Sequence, residues 1–210
     1  QALRSHPHHL DLLNNLKAIL DQAHDNPATE QVLRQMVQEE PTIYDHRLKL
    51  ARFYDQHHEF DRAEATLREA LQALPDQEQT WLALADFLRL RRGKESAEAA
   101  FRQAMERLPY STKIPLALGA LYEHQKDMIA ARNVYASMAK EYEKKPAGLD
   151  ASVKIAQLDF AAGKQDEALQ RLAAVLGENP RSAEGLILQG KIEKKKKNGR
   201  DYLRQSQFLL

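Results

Sequence analysis

Cysteine is absent from this 210-residue chain, which excludes a disulfide framework, a thiolate nucleophile and any cysteine-ligated zinc or iron–sulfur site. The same absence leaves the compartment open, cytoplasmic or periplasmic, because cysteine-free proteins live in reducing and oxidising places alike. Glycine and proline number only eight each, too few turn formers for a many-stranded sandwich or barrel. Neither sign of charge dominates. Lys plus Arg number 31 against 30 for Asp plus Glu, a net of +1, so the chain lacks the cationic excess of a dedicated nucleic-acid binder and any basic patch is local. Charges recur every few positions, and no window approaches the roughly eighteen uninterrupted apolar residues of a membrane span. Catalytic signatures are missing too: there is no Gly-x-Ser-x-Gly elbow, no phosphate-cradling glycine loop and no Ser–His–acid set. No enzyme activity and no cofactor are therefore expected. What remains, 43% hydrophobic and 29% charged, is the composition of a folded, soluble chain.

The prolines carry a period. Pro7, Pro41, Pro75 and Pro109 stand 34 residues apart, and five residues before each lies Ala2, Met36, Ala70 or Ala104, with a later copy at Val175 and Pro180. Between them apolar residues recur at helical spacing. Trp81, Leu84, Ala85 and Leu88 form one stripe, the pattern stops around Arg91-Arg92-Gly93, and Ala97, Ala100, Phe101 and Ala104 form a second. The copy before has Leu50, Ala51 and Tyr54, then Phe60, Ala63, Leu67 and Ala70. The copy after has Leu118, Gly119 and Tyr122, then Met128, Ala131, Tyr135 and Met138. Another has Ile155 and Ala156, a turn at Gly163, then Ala168, Leu172 and Val175. Each period thus predicts a helix, a tight turn and a second helix.

Trp-x-x-Leu-Ala, the small residue and aromatic of the second helix, the later Ala and the closing Pro resemble tetratricopeptide repeats. The resemblance implies an all-α, right-handed solenoid of antiparallel helix pairs, in a single array with repeats at about 10–43, 44–77, 78–111, 112–145 and 149–182, a partial one over 183–210, and residues 1–9 ending an earlier repeat. The first repeat has Leu13, Leu16 and Leu20 but Lys17 and Thr29 where small residues are usual; the last has Gly190 but Tyr202. Bacterial multi-repeat proteins are the nearest in kind.

The resemblance further implies that the first helix of each pair lines a concave groove. The residues that project there are Asp45, Leu48, Arg52, Asp55 and Gln56, then Gln79, Leu82, Asp86, Arg89 and Leu90, then Lys113, Leu116, Ala120, Glu123 and His124, then Asp150, Val153, Gln157, Phe160 and Ala161. Leu48, Leu82, Leu116, Val153 and Ile187 make one apolar line, with Arg52, Asp86, Arg89 and Glu123 as polar steering, suited to an extended peptide or a partner helix. The plainer alternative is that these side chains pack on the next helix. A basic clamp for a terminal carboxylate is missing, since the paired places hold Leu48 and Arg52, Leu82 and Asp86, and Leu116 and Ala120. The expected role is a non-enzymatic protein-interaction scaffold with protein or peptide partners, with self-association through exposed terminal helices open and no nucleic acid expected. The rival reading is a structural spacer in a bacterial cell-envelope assembly for exopolysaccharide export or pilus assembly.

Four local features remain. After Met138 the second helix is expected to continue through Tyr142-Glu143-Lys144-Lys145 to Pro146, an insertion of three residues that reads either as a loop or as a change of pitch. His6, His8 and His9, and His57 and His58, cluster in loops, as solvated turn residues or as adventitious metal ligands. Lys194-Lys195-Lys196-Lys197, with Lys191, Arg200 and Arg204, reads as a solvated helix end or as a contact for an anionic surface. The start at Gln1 reads as processed or excised and the end at Leu210 as cut in mid-helix, both pointing to a longer parent.

Overall fold

Eleven helices make up the residues that the computed structural model describes, 10–207, with side chains for 11–198, and among them there is no strand. They are α1 Leu10–Ala23, α2 Asn26–Glu39, α3 Tyr44–Gln56, α4 Phe60–Ala73, α5 Glu78–Arg91, α6 Lys94–Arg107, α7 Lys113–His124, α8 Met128–Tyr142, α9 Pro146–Ala161, α10 Gln165–Glu178 and α11 Ala183–Gln207. The expected helix end over residues 1–9, the histidines at 6, 8 and 9, the last three residues and the side chains of Arg200, Tyr202 and Arg204 lie outside the described residues.

The period in the prolines has a steric cause. A residue before proline is pushed from helical toward extended backbone. Glu40, Leu74, Leu108 and Asn179 precede Pro41, Pro75, Pro109 and Pro180, and take φ of −136° to −123° with ψ of 58° to 83°. Each sends its N–H back to the carbonyl four residues earlier, on Met36, Ala70, Ala104 or Val175, at 2.8–3.1 Å. Those four side chains are buried, so the residue five places before each proline packs the helix as well as closing it. The turn inside four of the five pairs is as regular; in the fifth, between α5 and α6, the donor Gly93 itself takes the positive φ. Asp25, Glu59, Asp127 and Lys164 donate to the carbonyls of Leu20, Tyr54, Tyr122 and Asp159, five residues back, at 2.9–3.0 Å. The residue before each donor, His24, His58, Lys126 or Gly163, is left-handed with φ of 55° to 81°, the geometry that closes an α-helix with its last carbonyls satisfied.

The helices form two compact units that meet in sequence at Ile114 and Pro115. In the first, α3 and α4 bury Leu50, Ala51, Tyr54, Ala63, Leu67 and Ala70, and α5 and α6 bury Leu84, Ala85, Leu88, Ala97, Phe101 and Ala104. Trp81 donates its ring N–H to the Pro75 carbonyl at 2.9 Å, and one period earlier Arg47 does the same to Pro41. The signature tryptophan is thus a tie between helix and loop that an arginine replaces. In the second unit, Ala131, Tyr135 and Met138 of α8 pack with Ala151, Ile155 and Leu158 of α9. The other side of α9, Val153 and Ala156, packs with Ala168, Leu172 and Val175 of α10 and Leu188 and Ile192 of α11.

One expected helix boundary moves. The helix that holds Met138 does not continue to Lys145. It ends at Tyr142, Glu143 turns left-handed at φ 31°, and Pro146 opens α9 at a first-turn position, where its missing N–H costs nothing. The three extra residues lengthen α9 to 16, against 12 to 14 for α1, α3, α5 and α7. The insertion is nearly a turn of helix, not a loop. Gly148 permits it: a Cβ there would lie 2.5 Å from the Glu143 carbonyl oxygen. The partial repeat from residue 183 is a single helix of 25 residues.

Candidate functional site

Residues three and four apart share a helix face. On α3 this brings together Tyr44, Leu48, Ala51, Arg52 and Asp55, and on α5 Gln79, Leu82, Ala83, Asp86 and Leu90. With Leu67 and Phe87 they line a cleft of about 490 Å³ in the first unit. The lining is mostly apolar. Leu48 and Leu82 are half-buried, and Leu90 keeps 56% of its surface in water, so the apolar floor is reachable from solvent.

The charges around this floor are unequal in commitment. Asp55 is held in a two-bond grip by Arg91, at 2.7 and 3.0 Å, and the Arg91 guanidinium also lies 4.7 Å from the Phe60 ring centroid. Asp86 is held by Arg89 at 2.7 Å. Both carboxylates are therefore partly neutralised from within, and the Asp86–Arg89 pair expected to steer a ligand is satisfied by itself. Arg52 is exposed and has no hydrogen bond or ion pair to any described residue. Its charge is felt by Tyr44, whose hydroxyl is pushed up by burial and drawn partly back by Arg52. The uncommitted charge of the cleft is thus positive. Gln56 is exposed outside the lining. Tyr44 lines it though the sequence reading began one residue later, at Asp45; its place one turn before Leu48 is the signal that would have found it.

In the second unit the residues at the same register serve other ends. Leu116 packs against the α8–α9 core and Ala120 is exposed. Glu123 accepts a 2.6 Å hydrogen bond from Tyr135, whose ring is fully buried; burial first, and then the Glu123 carboxylate, raises the Tyr135 hydroxyl far above its ordinary range. Gln157 is half-buried. Val153 is a correction: it is 1% exposed and sealed by Leu188 and Ile192 of α11, so it belongs to the core and presents nothing to a ligand. Among the described histidines, His57 packs its ring 4.2 Å from that of Phe53 and His58 supplies a left-handed turn. No group of three or more His, Asp or Glu among the described residues is placed to hold a metal ion, and no described helix is long and apolar enough to cross a membrane.

Residues 22–87, which include α3 and most of α5, match a family model described as tetratricopeptide repeat. No curated protein is significantly similar to the chain. Among solved structures, a tetratricopeptide repeat protein from Parabacteroides merdae is 17% identical, with 90% of this chain and 75% of that one covered and a TM-score of 0.56. Yeast Tom70 is 15% identical over 81% of this chain and 36% of its own, with a TM-score of 0.63. YrrB, described as a tetratricopeptide repeat protein with an unusual peptide-binding site, is 13% identical over 90% and 96%, with a TM-score of 0.50. Residues 22–87 thus carry tetratricopeptide repeat sequence, and the described residues as a whole share the all-α fold of paired helices seen in tetratricopeptide repeat structures.

Proposed function

We propose that the chain is a protein-interaction scaffold that captures an extended peptide or a partner helix in the α3–α5 cleft. An apolar side chain of the partner sits on Leu48, Leu82 and Leu90, and a neighbouring carboxylate of the partner meets Arg52. The observation that carries this reading is an open apolar cleft whose one uncommitted charge is the Arg52 guanidinium. Burying a large apolar side chain stabilises by about 1.5–3 kcal/mol, whereas an exposed ion pair contributes about 1 kcal/mol or less. The apolar anchor therefore sets affinity and Arg52 sets register. The peptide-binding site described for YrrB supports a fold of this kind in such a role.

The test is selection from a phage library of random 12-residue peptides on the immobilised protein, followed by calorimetric titration of the best peptides. Enriched peptides are expected to pair an apolar residue with an adjacent Asp or Glu. A Leu48→Asp plus Leu82→Asp variant that keeps its helical circular dichroism is expected to bind them at least tenfold more weakly, and Arg52→Glu to lose the acidic preference. Unchanged affinity in the double variant would move the site away from this cleft.

A further inference from the structure

In every helix pair but the first, which has Lys17, the first helix carries a small residue, one period from the next apart from the three-residue insertion: Ala51, Ala85, Gly119 and Ala156. The second helix packs on that place, most tightly at Gly119, where a Cβ would lie 2.2 Å from the Tyr135 ring. Gly190 holds the same place in α11, 34 residues after Ala156. Here nothing covers it: no described atom comes within 4 Å of a Cβ built there, and Leu186, one turn earlier, is 49% exposed. Leu188 and Ile192 already hold α11 onto α9 and α10 by its other face. Gly190 thus opens onto a cleft of about 560 Å³ lined also by Leu169 of α10 and by Glu193, Lys194 and Lys197.

The lysine run gives this cleft its sign. It does not form a helix end, as its position in the sequence suggested, because α11 continues to Gln207; the dipole of a helix terminus therefore does not account for it. Lys196 reaches Asp166 at 2.5 Å and Lys195 lies 5.1 Å from the Phe160 ring centroid. Lys191, Lys194 and Lys197 are exposed and pair with no described carboxylate. Like charges three and four apart on a helix repel, and carboxylates brought by a partner would relieve them.

We propose that this cleft docks an amphipathic helix with an acidic first turn, laid antiparallel to α11 in the place that a second helix takes in the other pairs. An antiparallel course puts the N-terminal turn of the docked helix beside Lys194 and Lys197, where the macrodipole also favours acidic residues, and an apolar side chain on Gly190 between Leu169 and Leu186. Three second helices of this fold have that design, with Asp61 in α4, Glu95 in α6, and Asp166 and Glu167 in α10.

The probe is a fluorescein-labelled peptide of residues 164–179, the chain's own α10, titrated by anisotropy against the whole protein. Saturable binding is expected. Gly190→Leu, whose Cβ meets no described atom within 4 Å, is expected to leave the melting temperature undiminished and to weaken binding at least tenfold. Lys194→Glu plus Lys197→Glu is expected to do the same and to be rescued by a peptide carrying Asp166→Lys and Glu167→Lys. The α3–α5 variant Leu48→Asp plus Leu82→Asp is expected to bind like the parent, which separates this site from the first. No saturable binding, or binding indifferent to Gly190→Leu and to the charge swap, overturns the proposal. So does lysine-dependent binding of phosphatidylglycerol vesicles or polyuridylate without binding of the peptide, which would assign the patch to lipid or nucleic acid.

Discussion

Thr29, Ala63, Ala97, Ala131 and Ala168 occupy one register of the second helices, and all five are at most 1% exposed. Four are alanines. Thr29 alone brings a hydroxyl to that place, buried and without a hydrogen-bond partner. An unsatisfied buried polar group costs about 1–3 kcal/mol, and alanine is the better helix former by about half a kcal/mol, against about 0.8 kcal/mol for the methyl lost. Thr29→Ala is therefore expected to stabilise the protein by about 1 kcal/mol, read as a higher urea midpoint at unchanged slope; a lower midpoint would mean that the hydroxyl is satisfied. Gly148 gives the opposite case. Its would-be Cβ meets backbone, which cannot rotate away, so Gly148→Ala is expected to cost about 2 kcal/mol. Gly177→Ala in α10, with nothing within 4 Å, is expected to gain up to about 1 kcal/mol by helix propensity. Thermal melts of the two variants should move in opposite directions.

Between elements, both units repeat one device at the end of a first helix. Tyr54 of α3 is hydrogen-bonded by Arg34 of α2 and Arg62 of α4, with Glu30 of α2 accepting from Tyr54 and from both arginines. Asp159 of α9, at the same register and 3% exposed, is bonded by Arg132 of α8 and Arg171 of α10. Burial opposes ionisation of Glu30, but hydrogen bonds from Arg62 and Tyr54 outweigh it and hold its carboxyl below the ordinary 4.5. A carboxylate depressed in the folded state contributes stability that is complete above the unfolded value and is lost as pH falls through the folded one. Glu30→Gln is thus expected to remove part of the stability at pH 7 and to flatten its decline below about pH 4.5, measured by urea unfolding across that range; an unaltered acid limb would show that the contact contributes nothing. Most of these ties were not legible in the sequence, because they join residues up to 32 positions apart whose types vary from repeat to repeat. The helix ends were legible, because they rest on local sterics at proline and on the left-handed turn. The end of α8 was misplaced for a related reason: the spacing counted three extra residues, but only the close approach at Gly148 decides which helix receives them.

For the molecule as a whole, the 34-residue period gives each side chain a register, and what covers that register decides its role. Leu48 and Leu82 line a cleft, Leu116 joins a core cluster, and Val153, next in the same line, lies beneath α11. Two of the five apolar positions in the expected line therefore line a cleft, Leu116 and Val153 pack against neighbouring helices as in the plainer alternative, and Ile187 is 58% exposed. The pairing across helices could not be read from sequence either, since Asp55 meets Arg91, 36 residues away, and leaves Arg52 as the free charge only once the helices are in place. The most direct measurement of the central claim is a titration of ¹⁵N-labelled protein with a library-selected peptide, followed by amide and arginine Nε shifts. Binding in the α3–α5 cleft predicts changes concentrated over residues 44–55 and 79–90, including the Arg52 side chain. Changes concentrated elsewhere, with those two segments unmoved, would contradict it.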